Sequence, residues 1–338
     1  GISEPALRSS APQGVRNSKA LSVEQSNSAL LFDDRLFMKL FRKIAAGINP
    51  DVEIMQFLGG RRFPHVPPFC GTLKYVRNGD GLTLGLLLGS VANDGDAWAW
   101  ALREIGSYYD GVAKRGGPAN REAAAEIAGP AFVERVAQLG RQTGELHVAL
   151  VSDSEDPDFS PVPMGAEDFR QLAATIGGHI AAAIRTLETM GRLEPGELAA
   201  LSETFLSRDG ELQSRAGGIA RLGITAAKTR THGDYHLGQV LNAGNRFVII
   251  DFEGEPAKSL EERREKRSPV RDVAGMLRSF HYAAYSGLIA RSPENQPLTE
   301  WAEAWSRLAG ETFVQNWQEA TRGAACIPPN ERDLQTVV

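Results

Sequence analysis

The 25-residue stretch from Thr231 to Glu255, T-H-G-D-Y-H-L-G-Q-V-L-N-A-G-N-R-F-V-I-I-D-F-E-G-E, constrains this chain more than any other. Phe247 to Ile250 is an apolar, β-branched run that reads as a buried strand. Gln239 to Leu241 reads as its partner, with Ala243-Gly244-Asn245 as the turn between them. A hairpin of this kind brings Gln239 and Asp251 together at its open end. Asp251 then leaves a strand end, where a side chain is held firmly and still faces a cleft. Asp234 lies five residues before Gln239, and Asp251 twelve residues after it.

Two aspartates and an amide at this spacing are the parts that phosphoryl transfer requires. One carboxylate accepts the proton of the attacking hydroxyl, and oxygen ligands hold Mg²⁺ against the nucleotide phosphates. The protein-kinase catalytic loop, H-R-D-x-x-x-x-N followed by D-F-G, has the same spacing as His232-Gly233-Asp234-x-x-x-x-Gln239 followed by Asp251-Phe252-Glu253. Gln stands for Asn and Glu for Gly. Both are oxygen donors, so Asp234 is the candidate base, Gln239 and Asp251 are candidate metal ligands, and Glu253 is a supporting carboxylate. Two other readings compete. H-x-D-x-H at 232–236 is part of a metal-hydrolase pattern, but the remaining histidines (65, 147, 179 and 281) are nowhere closely paired. A polar loop that merely caps a hairpin is the second.

Upstream, Leu21 to Glu24 and Ala29 to Phe32 read as strands around Gln25-Ser26-Asn27-Ser28. Asp33-Asp34 is a turn signal, and Arg35 to Phe41 is a third strand. The turn suits a lid over phosphates, with backbone N–H groups and the hydroxyls of Ser26 and Ser28 as donors around Asn27. Lys39 shares a strand face with Phe37 and Phe41, a setting for a lysine that holds phosphates and pairs with a helix glutamate. The expected partner is Glu53. Asn49 caps that helix, Pro50 occupies its first position, Asp51 favours its positive end, and Gly59-Gly60 stops it. Gly71 to Val76 and Leu82 to Leu88 form a further hairpin. Leu88 to Ala92 reads as a hinge whose backbone faces an adenine.

Beyond the hinge the periodicity is helical over 97–112, 131–150, 166–190, 194–222, 272–285 and 300–321. His147 lies on an apolar helix face, as a packed core residue. Asp272, near a helix start, is placed to accept N–H groups of the catalytic loop. Tyr282, Trp301 and Trp305 lie on late helices, as core or as walls of an acceptor cleft. The mixed run 261–267 reads as a solvated segment. A 338-residue chain with 42% hydrophobic residues builds a sizeable core. Its net charge of −5 does not favour nucleic acid. It has no apolar run of membrane-spanning length and no signal-peptide core. Cys70 and Cys326, far apart, fit a reduced, cytoplasmic setting.

Longer landmarks add a resemblance. Val23 to Phe32, Leu36 to Ile44, Gly47 to Ile54, Phe63 to Pro68, Thr231 to Leu241, Ile250 to Ala257 and Ser268 to Phe280 together resemble the maltokinase family, in particular the kinase module fused to trehalose synthases. The resemblance implies an α+β, two-lobed fold like the protein kinases and aminoglycoside phosphotransferases, with a small β-rich N-lobe and a larger helical C-lobe. Residues 1–19, rich in Ser, Pro, Arg and Asn, read from composition as disordered or a linker, with 20–90 the N-lobe and 91–338 the C-lobe. It implies ATP- and Mg²⁺-dependent phosphorylation of maltose to maltose 1-phosphate, feeding α-glucan synthesis, with trehalose synthase as fused or associated partner. Lys39 would anchor phosphates, with Glu53 paired to it. Family members usually carry an N-terminal cap subdomain and a further C-terminal helix that this stretch does not match, as in an excised module. Related glucosamine kinases share the catalytic stretch, so glucosamine or another sugar is the alternative acceptor. A non-catalytic nucleotide-binding module is the third reading.

Overall fold

The computed structural model describes residues 17–21, 27–77, 80–153, 155–190, 196–291, 298–329 and 332–334. Ser26 and most of the first expected strand lie outside the described residues. A five-stranded antiparallel sheet forms the smaller lobe: β1 (Ser18–Leu21), β2 (Asn27–Phe32), β3 (Leu36–Phe41), β4 (Phe69–Arg77) and β5 (Asp80–Gly89), in the order β1-β2-β3-β5-β4. Ser18 and Lys19 already pair with β2, slightly before the boundary expected at residue 20. Asn27 and Ser28, expected in the lid turn, are the first residues of β2. Asp33 and Asp34 both adopt positive φ in the β2–β3 turn. Short polar side chains tolerate this, and the twist of a tight hairpin demands it. In β3, Lys39 pairs with Ala29 on one side and Leu86 on the other. The sheet closes tightly here because β5 carries Gly85, where a Cβ would lie 2.6 Å from the Lys39 carbonyl oxygen.

Helix α1 (Pro50–Gly60) packs beneath the sheet, capped by the Asn49 side chain, which accepts from the Asp51 and Val52 amides. The larger lobe is helical: α2 (Ala97–Arg115), α3 (Arg121–Leu150), α4 (Ala166–Thr189), α5 (Glu197–Ser207), α6 (Asp209–Ile219), α7 (Leu260–Arg264), α8 (Val270–Ile289) and α9 (Leu298–Ala320). The helix expected over 194–222 is two, α5 and α6, broken at Arg208 just before Asp209-Gly210. Two short strands, β6 (Val162–Pro163) and β7 (Ala227–Lys228), pair at the base of the α4–α6 excursion. Strands β8 (Val240–Ala243) and β9 (Arg246–Ile249) form the expected hairpin, each slightly offset from its expected bounds, and Gly244 takes φ +63° at the turn.

An aromatic core joins the large helices. Trp100 stacks on Phe132 with ring centroids 5.8 Å apart, and Phe132 meets Trp305 at 5.0 Å. Phe280 lies edge-on to both Trp305 and Phe313. Trp301 and Trp305 are therefore core, whereas Tyr282 is half exposed. The lobes are pinned together by the segment after α1. The His65 carbonyl accepts the Ile249 amide at 2.7 Å, and its ring lies between Glu145 and Gln142 of α3. This contact sets the end of β9, and hence Asp251, against the sheet lobe. No described helix is long and apolar enough to cross a membrane.

Candidate active site

Lys39, on the buried face of β3, sends its ammonium into a cluster of three carboxylates. Its Nζ lies 2.9 Å from Asp51 Oδ2, 2.5 Å from Asp251 Oδ1 and 2.7 Å from Glu253 Oε1. Asn27 donates to the same Glu253 oxygen at 2.6 Å. The residue expected to pair with Lys39 was Glu53, and that pair is not made. Two residues along a helix turn the side chain by about 200°, so Asp51 and Glu53 cannot both face the sheet. Asp51 shares its face with Ile54, Met55 and Leu58, all buried to within 2%, and that is the face against the sheet. Glu53 points away and is clamped by Arg230 and by Arg264, whose Nη2 lies 2.6 Å from Oε1. Arg264 belongs to the mixed-charge run read as solvated. Burial pushes the Arg230 guanidinium below its usual range, although Glu53 opposes the shift.

Asp51 also ties α1 to the segment after β9, because its Oδ1 accepts the Phe252 amide at 3.0 Å. Burial raises the Asp51 carboxyl above its usual range, with Lys39 opposing and Asp251 and Glu253 adding to the rise. For Asp251 burial also acts upward. There the Lys39 charge and hydrogen bond, His232 and the Gln239 side chain together outweigh it, so its carboxyl is held low and stays ionised. Asp251 adopts φ +66°, which costs a non-glycine residue on the order of 1–2 kcal/mol. The surrounding bonds over-determine the conformation. The His232 Nε2–H donates to the Ile250 carbonyl at 2.9 Å, and the Ile250 amide donates to the Gln239 carbonyl at 3.0 Å. Gln239 and Asp251 thus meet at the open end of the hairpin, as expected. His232 Nδ1 accepts the Asp234 amide at 3.4 Å and His236 Nδ1 the Gly238 amide at 3.0 Å, and the described residues that cluster as metal ligands are Asp51, Asp251 and Glu253, with neither histidine of the H-x-D-x-H pattern.

The catalytic-loop candidate is held from behind. Asp272, at the start of α8, accepts the His232 amide at 2.8 Å and the Gly233 amide at 3.0 Å. Burial acts to raise its carboxyl, but hydrogen bonds and charge from His147, His232 and the Gly233 amide reverse the shift and keep it anionic. Gly233, at φ +87°, lets the loop pass against Gly254, whose Cα would lie 3.3 Å from a Cβ here. Asp234 then projects into a cleft of about 570 Å³, with Asp96, Trp98, His236, Arg278 and Tyr282 among its walls. The Arg278 guanidinium lies 4.1 Å from the Tyr282 ring centre and its Nη2 donates to the Tyr282 hydroxyl. Ser28 lies on β2, where its hydroxyl accepts from Arg42.

The oxygens of Asp51, Asp251 and Glu253 lie within 4.8 Å of one another. Lys39 answers one of these three negative charges, and Arg263, 3.7 Å from Glu253 Oε2, answers a second at longer range. Carboxylate and amide oxygens with residual negative charge are the donor set of a hard divalent cation. Asp51 is the one member that sequence reading assigned only to the helix dipole. Its signal was present in the spacing Asp51, Ile54, Met55, Leu58.

This arrangement, a lysine on an antiparallel sheet facing an aspartate at a hairpin end and backed by a helical lobe, is the two-lobed protein-kinase-like fold. Solved structures carry the same fold. A glucosamine kinase superposes with a TM-score of 0.72 at 18% identity, covering 97% of this chain and 68% of that one. A glucosamine kinase in complex with glucosamine, ADP and inorganic phosphate gives 0.71 at 19%, covering 97% and 70%. Among curated proteins, the glucosamine kinase of Mycolicibacterium smegmatis is 29% identical over 280 residues, or 82% of this chain. That of Streptacidiphilus jiangxiensis is 21% identical over 309 residues, or 90% of this chain. The chain spans 62% of the length of each of these curated relatives. No family model matches it.

Proposed function

We propose that this chain is an ATP-dependent sugar kinase whose acceptor is an aminosugar of the glucosamine class. The observation that carries the reading is the convergence of Lys39, Asp251 and Glu253 beside a loop that presents Asp234 to an open cleft. In the reaction the acceptor hydroxyl oxygen forms a bond to the terminal phosphorus of ATP, and the bond from that phosphorus to the bridging oxygen breaks. ADP leaves with the bridging electron pair, and Asp234 takes the hydroxyl proton. Lys39 exchanges its contacts with Asp251 and Glu253 for phosphate oxygens, while Asp51 keeps it aimed. Gln239, Asp251 and Glu253 are the residues that would hold Mg²⁺, which when bound neutralises charge on the transferring phosphoryl group. Asn27 orients Glu253, and the start of β2 at Asn27 and Ser28 would lie over the phosphates.

The acceptor class is supported by the names of the curated relatives and by the cleft itself. Asp96 and Asp234 offer carboxylates to an ammonium, on a lining that also carries Arg271 and Arg278, and Trp98 and Tyr282 offer faces to a sugar ring. Maltose as acceptor, with trehalose synthase as partner, rests on the sequence landmarks alone. ADP release measured with glucosamine, maltose and glucose decides between them by kcat/KM. We expect glucosamine to lead. Asp234→Ala should lower kcat by roughly 10²- to 10⁴-fold, the worth of a placed general base, with ATP binding retained. No ADP release with any sugar or divalent metal, from protein shown to be folded, would sink the assignment.

A further inference from the structure

Behind the catalytic loop three helices each contribute one fully buried polar side chain: Trp317 on α9, His147 on α3 and Asp272 on α8. Trp317 Nε1 donates to His147 Nδ1 at 2.9 Å, and His147 Nε2 lies 3.1 Å from Asp272 Oδ2. An indole N–H only donates, so Nδ1 must offer a lone pair. The single ring proton therefore sits on Nε2 and points at the carboxylate. The other tautomer would set proton against proton at the indole and lone pair against lone pair at Asp272. Asp272 passes the constraint on to the amides of His232 and Gly233, one residue from Asp234.

The indole is itself fixed by close helix packing. A Cβ on Gly144 would lie 3.0 Å from the Trp317 carbonyl oxygen, and one on Gly140 would lie 2.4 Å from that of Phe313. The backbones of α3 and α9 touch there, which leaves the indole little freedom to slide along α3. A buried chain of bonds running from the last long helix to the catalytic loop has no part in forming the core that an apolar side chain would not fill better.

We propose that Trp317 and His147 are positioning residues of the catalytic loop: the indole selects the imidazole tautomer, the imidazole orients Asp272, and Asp272 sets the backbone that aims Asp234. The kinetic part of the test rests on the phosphotransferase reading above; the structural part does not. Trp305 supplies a matched control. It lies on the same helix and is fully buried, and its indole N–H has no hydrogen-bond partner among the described residues. Trp317→Phe and Trp305→Phe thus remove similar rings, but only the first removes a link.

The test uses the full chain. Nitrogen-15 shifts of His147 at neutral pH should show Nε2 protonated and Nδ1 bare. In Trp317→Phe, the His232 and Gly233 amides should exchange with solvent at least about tenfold faster. Its kcat should fall on the order of 10- to 100-fold, the effect of a small misplacement of a catalytic group, with KM for ATP and sugar within about twofold. Trp305→Phe should change neither exchange nor kcat beyond about twofold. A proton on Nδ1, or on both nitrogens, overturns the proposal. So does amide exchange in Trp317→Phe that matches Trp305→Phe. Should Trp317→Phe not fold, the tautomer in the unaltered protein still decides. Absence of turnover in the unaltered protein removes the kinetic comparison and counts against the kinase reading, while the nitrogen shifts and exchange rates continue to judge the positioning.

Discussion

Which helix carboxylate serves Lys39 can be decided by two substitutions. Asp51→Asn keeps an oxygen for the Phe252 amide but replaces a charge 2.9 Å from the Lys39 ammonium with a neutral amide. Lys39 is almost fully buried, and removing one partner of a buried pair costs about 3–5 kcal/mol when no other partner remains. Asp251 and Glu253 remain, so a loss of about 2–3 kcal/mol follows. At about 2.1 cal/mol/K per residue, unfolding 338 residues as a unit carries an entropy of roughly 0.7 kcal/mol/K. The expected fall in Tm is thus about 3–4 °C. The larger effect is on nucleotide affinity. With phosphates bound, Asp51 is the carboxylate left to aim the ammonium. A charge-assisted hydrogen bond is worth about 1.5–3 kcal/mol, so ATP binding should weaken about 10- to 100-fold. Glu53→Gln also destabilises, because it strands the buried Arg230, but it leaves Lys39 in place and ATP affinity within about threefold. Calorimetric titration of both variants with ATP reads the comparison directly. If Glu53→Gln weakens ATP binding as much as Asp51→Asn does, the assignment of Asp51 as partner is wrong.

Two more outcomes follow from the same geometry. Asp272 has its carboxyl held below the usual range in the folded protein, so its stabilising contribution is complete above the unfolded value near 3.9 and is lost as pH falls toward the depressed native value. The Tm gap between the unaltered protein and Asp272→Asn should be widest at neutral pH and begin to close below about pH 4; a gap constant down to about pH 3 contradicts this. Gly85→Ala places a methyl 2.6 Å from the Lys39 carbonyl oxygen, and overpacking of this kind costs about 1–3 kcal/mol. A Tm lower by roughly 1–4 °C, with weaker ATP binding through the displaced strand, should appear; an unchanged Tm would mean that the strands separate without strain.

Features encoded locally were legible in the residues alone. The β2–β3 turn was marked by Asp33-Asp34, the hairpin by Gly244-Asn245, and the start of α1 by Asn49-Pro50. Each is a short-range demand on φ or on an orphan amide, and each was met. Lys39, expected on the strand face of Phe37 and Phe41, is buried there. The α5–α6 break shows the opposite case, where helical periodicity carried across Arg208 and overrode the stop signal in Asp209-Gly210.

Pairing at a distance could not be read. Glu53 looked like the partner of Lys39 because a lysine–glutamate pair was sought. Its real partners, Arg230 and Arg264, lie 177 and 211 residues away, and Arg264 sits in a run that looks solvated. No local pattern encodes such a pair, because it depends on which face of α1 turns inward. The decision between Asp51 and Glu53 was nevertheless physical. Ile54, Met55 and Leu58 must be buried together, and only residue 51 shares their face. The apolar residues of α1 thus select which of its carboxylates faces Lys39. The same logic holds at the other end of the site, where the glycines that let α3 touch α9 decide which indole reaches His147. In both places packing sets the position of a polar group that the chemistry then uses, so core substitutions far from the cleft should alter kcat through these contacts before they unfold the chain.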